Sequence, residues 1–208
     1  MERLESRLKF MPTPYEKQAL NSRKFSDLWT PDNYTRQKFL WQYAAANSNA
    51  PIQAIERIEK LLPSESMSKN GNGWLRELEY KLYACDAASY YVMGICPHVI
   101  SGFNLSTIPT FFYKMAERME DQGLVRIEHP KKSSMTLVYL LNASDETKYH
   151  FAVDLSLKTE DDDQRILFHK PGTYPPTIST MDLIMQVYPG FSVDYWALPE
   201  HISYSGGL

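Results

Sequence analysis

The sequence predicts an α+β fold, helical in its first half and rich in strands in its last third. Three observations carry that prediction. Apolar residues recur at helical spacing between residues 31 and 62. Between 148 and 157 the pattern changes to strict alternation, with Tyr149, Phe151, Val153, Leu155 and Leu157 on one side and His150, Asp154 and Ser156 on the other. Between these regions, "STIPTFFYKMAERMEDQGL" reads as a helix with both ends marked.

Residues 1–30 are polar and broken by "MPTP", which predicts a flexible arm with a short helix near Tyr15–Arg23. The first strong helix follows, with Asp32 as N-cap and Tyr34, Phe39, Leu40 and Tyr43 near one side. "NSNAP" ends it, and Pro51 opens a second helix with Ile52, Ile55, Ile58, Leu61 and Leu62 as its stripe. Together these make a helical N-terminal region over 31–62. Residues 63–73 are Ser, Asn and Gly without apolar period, a linker. "WLRELEYKLYACDAASYYVMG" is helical in pattern, with Trp74, Leu75, Leu78, Leu82 and Cys85 together.

In the helix at 106–122, Ser106 or Thr107 caps the start and Pro109 sits in the first turn, where a missing N–H costs nothing. Ile108, Phe112, Met115 and Met119 form the buried stripe; Thr110, Tyr113, Lys114 and Glu117 lie opposite. Gly123 occupies the position where a left-handed residue stops a helix, and Leu124 can fold back on Met119. "LVRIEHP", "PKKSS" and "MTLVYLL" then read as strand, turn and strand. Further strands are expected at 148–157 and 165–170, joined by the acidic turn "EDDDQ". "PGTYPPT" is an extended connector, and Ser179 or Thr180 caps a short last helix, "MDLIMQVY".

The run "ST-I-PT-FFYKMAERMEDQGLV" resembles the winged helix-turn-helix family, particularly repressors of the MarR and PadR type, over about residues 75–141. That family shows Ser or Thr at the helix start, an apolar residue between the helix's exposed ones and Leu-x-x-x-Gly-Leu at its end; here Met119 stands in place of the first Leu, followed by Gly123 and Leu124. The fold implied is N-terminal helices, a central winged helix-turn-helix domain at 74–141, and a β-meander extension at 142–208 with a short C-terminal helix. The resemblance implies that Ser106, Thr107, Thr110, Tyr113 and Lys114 face the major groove of double-stranded DNA. It also implies that Lys131, Lys132 and Ser133 form a wing tip touching the backbone or the minor groove.

Charge bears on the partner. The formal net charge is −3, yet residues 1–40 hold eight Lys/Arg against five Asp/Glu, and residues 145–200 hold four against ten. A DNA contact therefore belongs to the first two-thirds of the chain, with the acidic C-terminal part turned from phosphate. Residues 106–135 carry five basic and four acidic groups, and no Arg lies on the first two turns of the candidate helix.

The function expected is DNA binding in transcriptional regulation or replication initiation, without catalysis, cofactor or metal. The N-terminal helices are expected to serve homodimerisation or a protein partner. One alternative is a winged-helix adaptor or complex subunit without DNA binding. A plain α+β domain, one helix packed on a four-stranded meander (124–129, 135–141, 148–157, 165–170), is the other reading of the fold. A third function is a papain-like cysteine peptidase using Cys96, two residues from His98 in "GICPH", with His150 or His169 as base. Cys85 reads as core, and the His150, Asp154 and His169 row as the solvent-facing side of a half-buried sheet. No stretch approaches the roughly eighteen apolar residues of a membrane span. "MERLESRLKF" is charged where a signal peptide is apolar, so a cytoplasmic protein is expected.

Overall fold

The computed structural model describes residues 31–62, 84–96, 119–130, 134–145, 148–156, 165–171 and 176–199. In chain order the elements are α1 (Pro31–Asn47), α2 (Ile52–Leu61), α3 (Cys85–Met93), β1 (Val125–Ile127), β2 (Thr136–Asn142), β3 (Tyr149–Asp154), β4 (Ile166–His169), β5 (Thr177–Thr180), α4 (Met181–Val187) and β6 (Phe191–Ala197). The α+β class is as expected.

The helices start and stop for local reasons. α1 spans Pro31–Asn47, so the expected cap Asp32 lies within the helix. Its buried residues are Gln37, Leu40, Trp41 and Ala44; of the expected side Leu40 is buried and Tyr43 packs against the core, whereas Phe39 points outward at 46% exposure. Pro51 precedes α2 with extended ψ (147°). Ala54, Ile58 and Leu61 bury its core side, whereas Ile52 is 67% exposed. The expected continuous helix from Trp74 does not run into α3: Ala84 is extended (φ −97°, ψ −179°), so the helix begins afresh at Cys85. Residues 74–83 lie outside the described residues.

The stop at Gly123 is as the sequence predicts. Gly123 has φ +79°; its N–H donates to Glu120 O (2.8 Å) and the Leu124 N–H donates to Met119 O (2.9 Å). Two otherwise orphaned carbonyls are satisfied, and Met119 and Leu124 are both buried in the main core. Gly94 ends α3 in the same way, at φ +84°.

The strands form one six-stranded antiparallel sheet in the order β1-β6-β2-β3-β4-β5. Residues β2 to β4 form the expected meander, with Tyr139 opposite Phe151 and Val153 opposite Phe168. The expected hairpin between 124–129 and 135–141 is absent. β6 lies between β1 and β2 and pairs with both, so Arg126 and Leu137 both face Trp196. Two strands antiparallel to the same neighbour are parallel to each other, and a tight turn cannot join parallel strands. The wing drawn from the sequence is corrected on this point, as is the first strand of the meander.

Register assigns each side chain to a face. Leu137, Tyr139, Phe151, Val153, Ile166, Phe168, Ile178 and Trp196 meet α1, α2 and α3 in the main core. Val138, Leu140, Ala152 and Leu167 lie on the other face, under Ile184 of α4. β2 is apolar at consecutive positions because both faces are covered. Full burial of each Leu, Val or Phe is worth roughly 1.5–3 kcal/mol. At the β5 edge, Gln37 of α1 accepts the Ile178 N–H at 3.1 Å, which occupies a donor that would otherwise face outward.

Candidate functional site

All eight residues expected to contact DNA (Ser106, Thr107, Thr110, Tyr113, Lys114, Lys131, Lys132 and Ser133) lie outside the described residues. Their described flanks are informative. The helix that should carry the first five ends with Met119 fully buried and Glu120 and Asp121 exposed. Before the basic tripeptide, Glu128 and His129 are exposed; after it, Ser134 and Met135 are buried. β1 itself is exposed at Val125 and Arg126, and Arg126 forms an ion pair with Asp194 of β6.

The cysteines do not assemble a nucleophile with the expected bases. Cys96 follows α3, and its N–H donates to Tyr90 O at 3.3 Å. α3 packs on the Phe151 side of the sheet, whereas His150 and His169 project from the opposite side, so the sheet lies between thiol and imidazoles. Burial, then the Asp86 charge, pushes the Cys96 thiol up. Cys85, the first residue of α3, is buried in the main core as the sequence suggests. Burial and then Asp86 push its thiol up to about 12, so it stays protonated at neutral pH.

The histidine row is where expectation and structure diverge most. His150, Asp154 and His169 are not solvent-facing; both imidazoles are only 1% exposed. His150 Nε2 is 3.0 Å from His169 Nδ1, and the rings meet edge to face at 5.1 Å. Tyr188, at the end of α4, stacks on His150 with centroids 4.6 Å apart and planes within 15°. Burial first, then His169 and Lys170, holds His150 well below the usual imidazole range. Burial alone lowers His169 to about 3. The pair is therefore neutral across the physiological range. Asp154, on the same face, bonds Arg165 at 2.9 Å and accepts the Ser156 N–H at 2.9 Å. Its burial raises its carboxyl above the usual range despite those partners. Among the described residues no three His, Cys, Asp or Glu side chains converge on a point that could hold a metal ion.

On the helix face lies Lys170, a site residue not among those expected from the sequence. It follows β4 in the alternation of Ile166 and Phe168, and it is fully buried. Burial lowers its ammonium to about 8, against the opposing influence of Cys85 and Asp86. The signal was available: in "RILFHK" the residues at 166, 168 and 170 share one side, and the first two are apolar. The burial of the histidines had a signal too, in the consecutive apolar residues of "TLVYLL" and the apolar side of "MDLIMQVY", which together require a second covered face. Neither the family models, the curated proteins nor the solved structures compared with this chain gave a match.

Proposed function

We propose that this chain acts by non-covalent binding, as a protein-interaction adaptor or complex subunit. The observation that carries this reading is the position of β6 between β1 and β2. A wing is a two-stranded projection, and the link that contains Lys131 and Lys132 instead joins parallel strands on either side of β6. The N-terminal helices offer a partner Phe39 and Ile52, which are large, apolar and exposed. Exposed Glu120 and Asp121 at the end of the candidate reading helix also favour a partner other than a polyanion.

DNA binding in transcriptional regulation or replication initiation is the second reading. The helix stop at Gly123, with Met119 and Leu124 buried, favours it. That is close to the ending the winged-helix register shows, and the resemblance assigns the groove contacts to Thr110, Tyr113 and Lys114. On this reading the helix alone enters the groove.

A mobility shift on duplex DNA at two salt concentrations separates the readings. The adaptor predicts no shift at low salt. It also predicts that a Phe39→Ser, Ile52→Ser double variant weakens a purified partner complex or homodimer. A shift that falls steeply with salt and is weakened by Lys114→Ala would overturn it in favour of DNA.

A further inference from the structure

α4 is a short cover over a polar part of the sheet. It contributes buried Ile184 and partly buried Met181 and Met185, and Tyr188 closes its end over His150. Below it the His150–His169 hydrogen bond joins β3 to β4. His169 Nε2 has no hydrogen-bond partner among the described residues, nor has Oγ1 of Thr177, which sits directly opposite His169 on β5.

This arrangement accepts one proton between the rings and refuses a second. A neutral pair needs a single N–H between Nε2 and Nδ1. A charged pair carries a further N–H donor into a buried setting, at the desolvation cost of a charge. The Tyr188 ring face offsets part of that cost for His150. His169, edge-on to His150, has no such support.

Little else nearby would neutralise the charge. Asp154 shares the face but is held by Arg165, and Lys170 opposes a charge on His150. Tyr195 is the titratable residue of β6 on this face, and Asp182 of α4 is exposed. β2 and β5 bring Thr136, Val138, Leu140, Thr177 and Ser179, none of them titratable.

We propose that the His150–His169 pair is an acid-operated latch for α4. Neutral, it seats α4 and Tyr188 on the sheet; in acid, protonation of the rings captures a state in which α4 has lifted and both imidazoles meet solvent. The captured step is proton transfer from hydronium to a ring nitrogen: an N–H bond forms as an O–H bond of hydronium breaks, water is released, and the hydrogen bond between the rings is lost.

Amide hydrogen exchange on the full chain tests this, corrected for the intrinsic pH dependence of exchange. The reporter is the Tyr188 N–H, bonded to Ile184 O at 2.9 Å; the reference is the Tyr139 amide inside β2. Freeing one imidazole of ordinary pKa 6.5 raises the open population about thirty-fold between pH 7.5 and 5.0, and freeing two raises it about a thousand-fold. Tyr188 protection is expected to fall by that range while remaining below Tyr139 protection at every pH. His169→Leu should limit the fall to about thirty-fold. A pH-independent Tyr188 protection overturns the latch, as does equal protection at the two amides, which would mean that α4 opens only with the whole fold. If His169→Leu does not fold, the two wild-type profiles decide alone.

Discussion

Two glycines with nearly the same backbone angle make different demands on their surroundings. Gly94 and Gly123 have φ of +84° and +79°. A Cβ at Gly123 would meet nothing within 4 Å, so Gly123→Ala carries only the left-handed strain, about 1 kcal/mol. A Cβ at Gly94 would lie 2.7 Å from an Arg57 guanidinium nitrogen. That nitrogen also donates to Val92 O at 3.4 Å and would have to move. The guanidinium is the far end of a flexible side chain, so Gly94→Ala should cost only slightly more, about 1–2 kcal/mol. Denaturant unfolding of both variants checks the order; equal losses would mean that Arg57 yields freely. Ser156 is held left-handed (φ +49°) without being glycine, through the Asp154 carboxylate on its N–H and its own carbonyl accepting from the Asn49 N–H (2.8 Å). Asp154→Ala removes that support and the Arg165 pair, and a loss of about 2–4 kcal/mol is expected by the same measurement.

Among the elements, β6 matters most to the sheet and was least visible in the sequence. The helix stop at Gly123, the Thr180 cap, whose Oγ1 accepts the Leu183 N–H at 3.3 Å, and the β2–β4 meander were all legible. Each depends on residues close in sequence. β6 alternates Phe191, Val193, Tyr195 and Ala197 with Ser192, Asp194 and Trp196, yet no local signal says where it pairs. Its partners, Leu137 opposite Trp196 and Val125 opposite Ala197, are some sixty to seventy residues away. The pairing of β1 with β2 looked short and cheap in loop entropy, but β6 sets Trp196 beside Leu137 on one face and Val193 beside Leu140 on the other. β5 was hidden behind "PGTYPPT", whose prolines mark a connector and mask the four-residue edge strand after it. A chain ended after Gly190 loses the strand that joins β1 to the rest. It should lose cooperative unfolding and near-ultraviolet circular dichroism; retention of both would show that β2 to β5 fold without their sixth strand.

At the scale of the whole molecule, the buried ionisable groups set how stability varies with pH. The signs follow from which state binds more protons. Below the ordinary imidazole value of 6.5 the unfolded chain protonates His150 and His169 while the folded chain does not, so stability falls as pH drops from 6.5 toward 3. Lys170 acts in the same sense at higher pH. It is 10.5 when unfolded and about 8 when folded, so between those values the unfolded state holds the extra proton and stability rises with pH, by about 1.4 kcal/mol per unit at most. Cys85 opposes it from 9.0 upward, because the folded thiol keeps its proton to about 12, and Tyr149, raised by burial and Asp86, opposes it from 10. The window left to Lys170 is pH 8 to 9, where the melting temperature should still be climbing. Lys170→Met keeps the length of the buried stem and removes the charge. It should raise the melting temperature at pH 7 and flatten the climb between 8 and 9. If Lys170→Met instead destabilises at pH 7 and the wild-type profile is already flat there, the ammonium is a well-compensated partner of Asp86 and its burial costs the fold nothing.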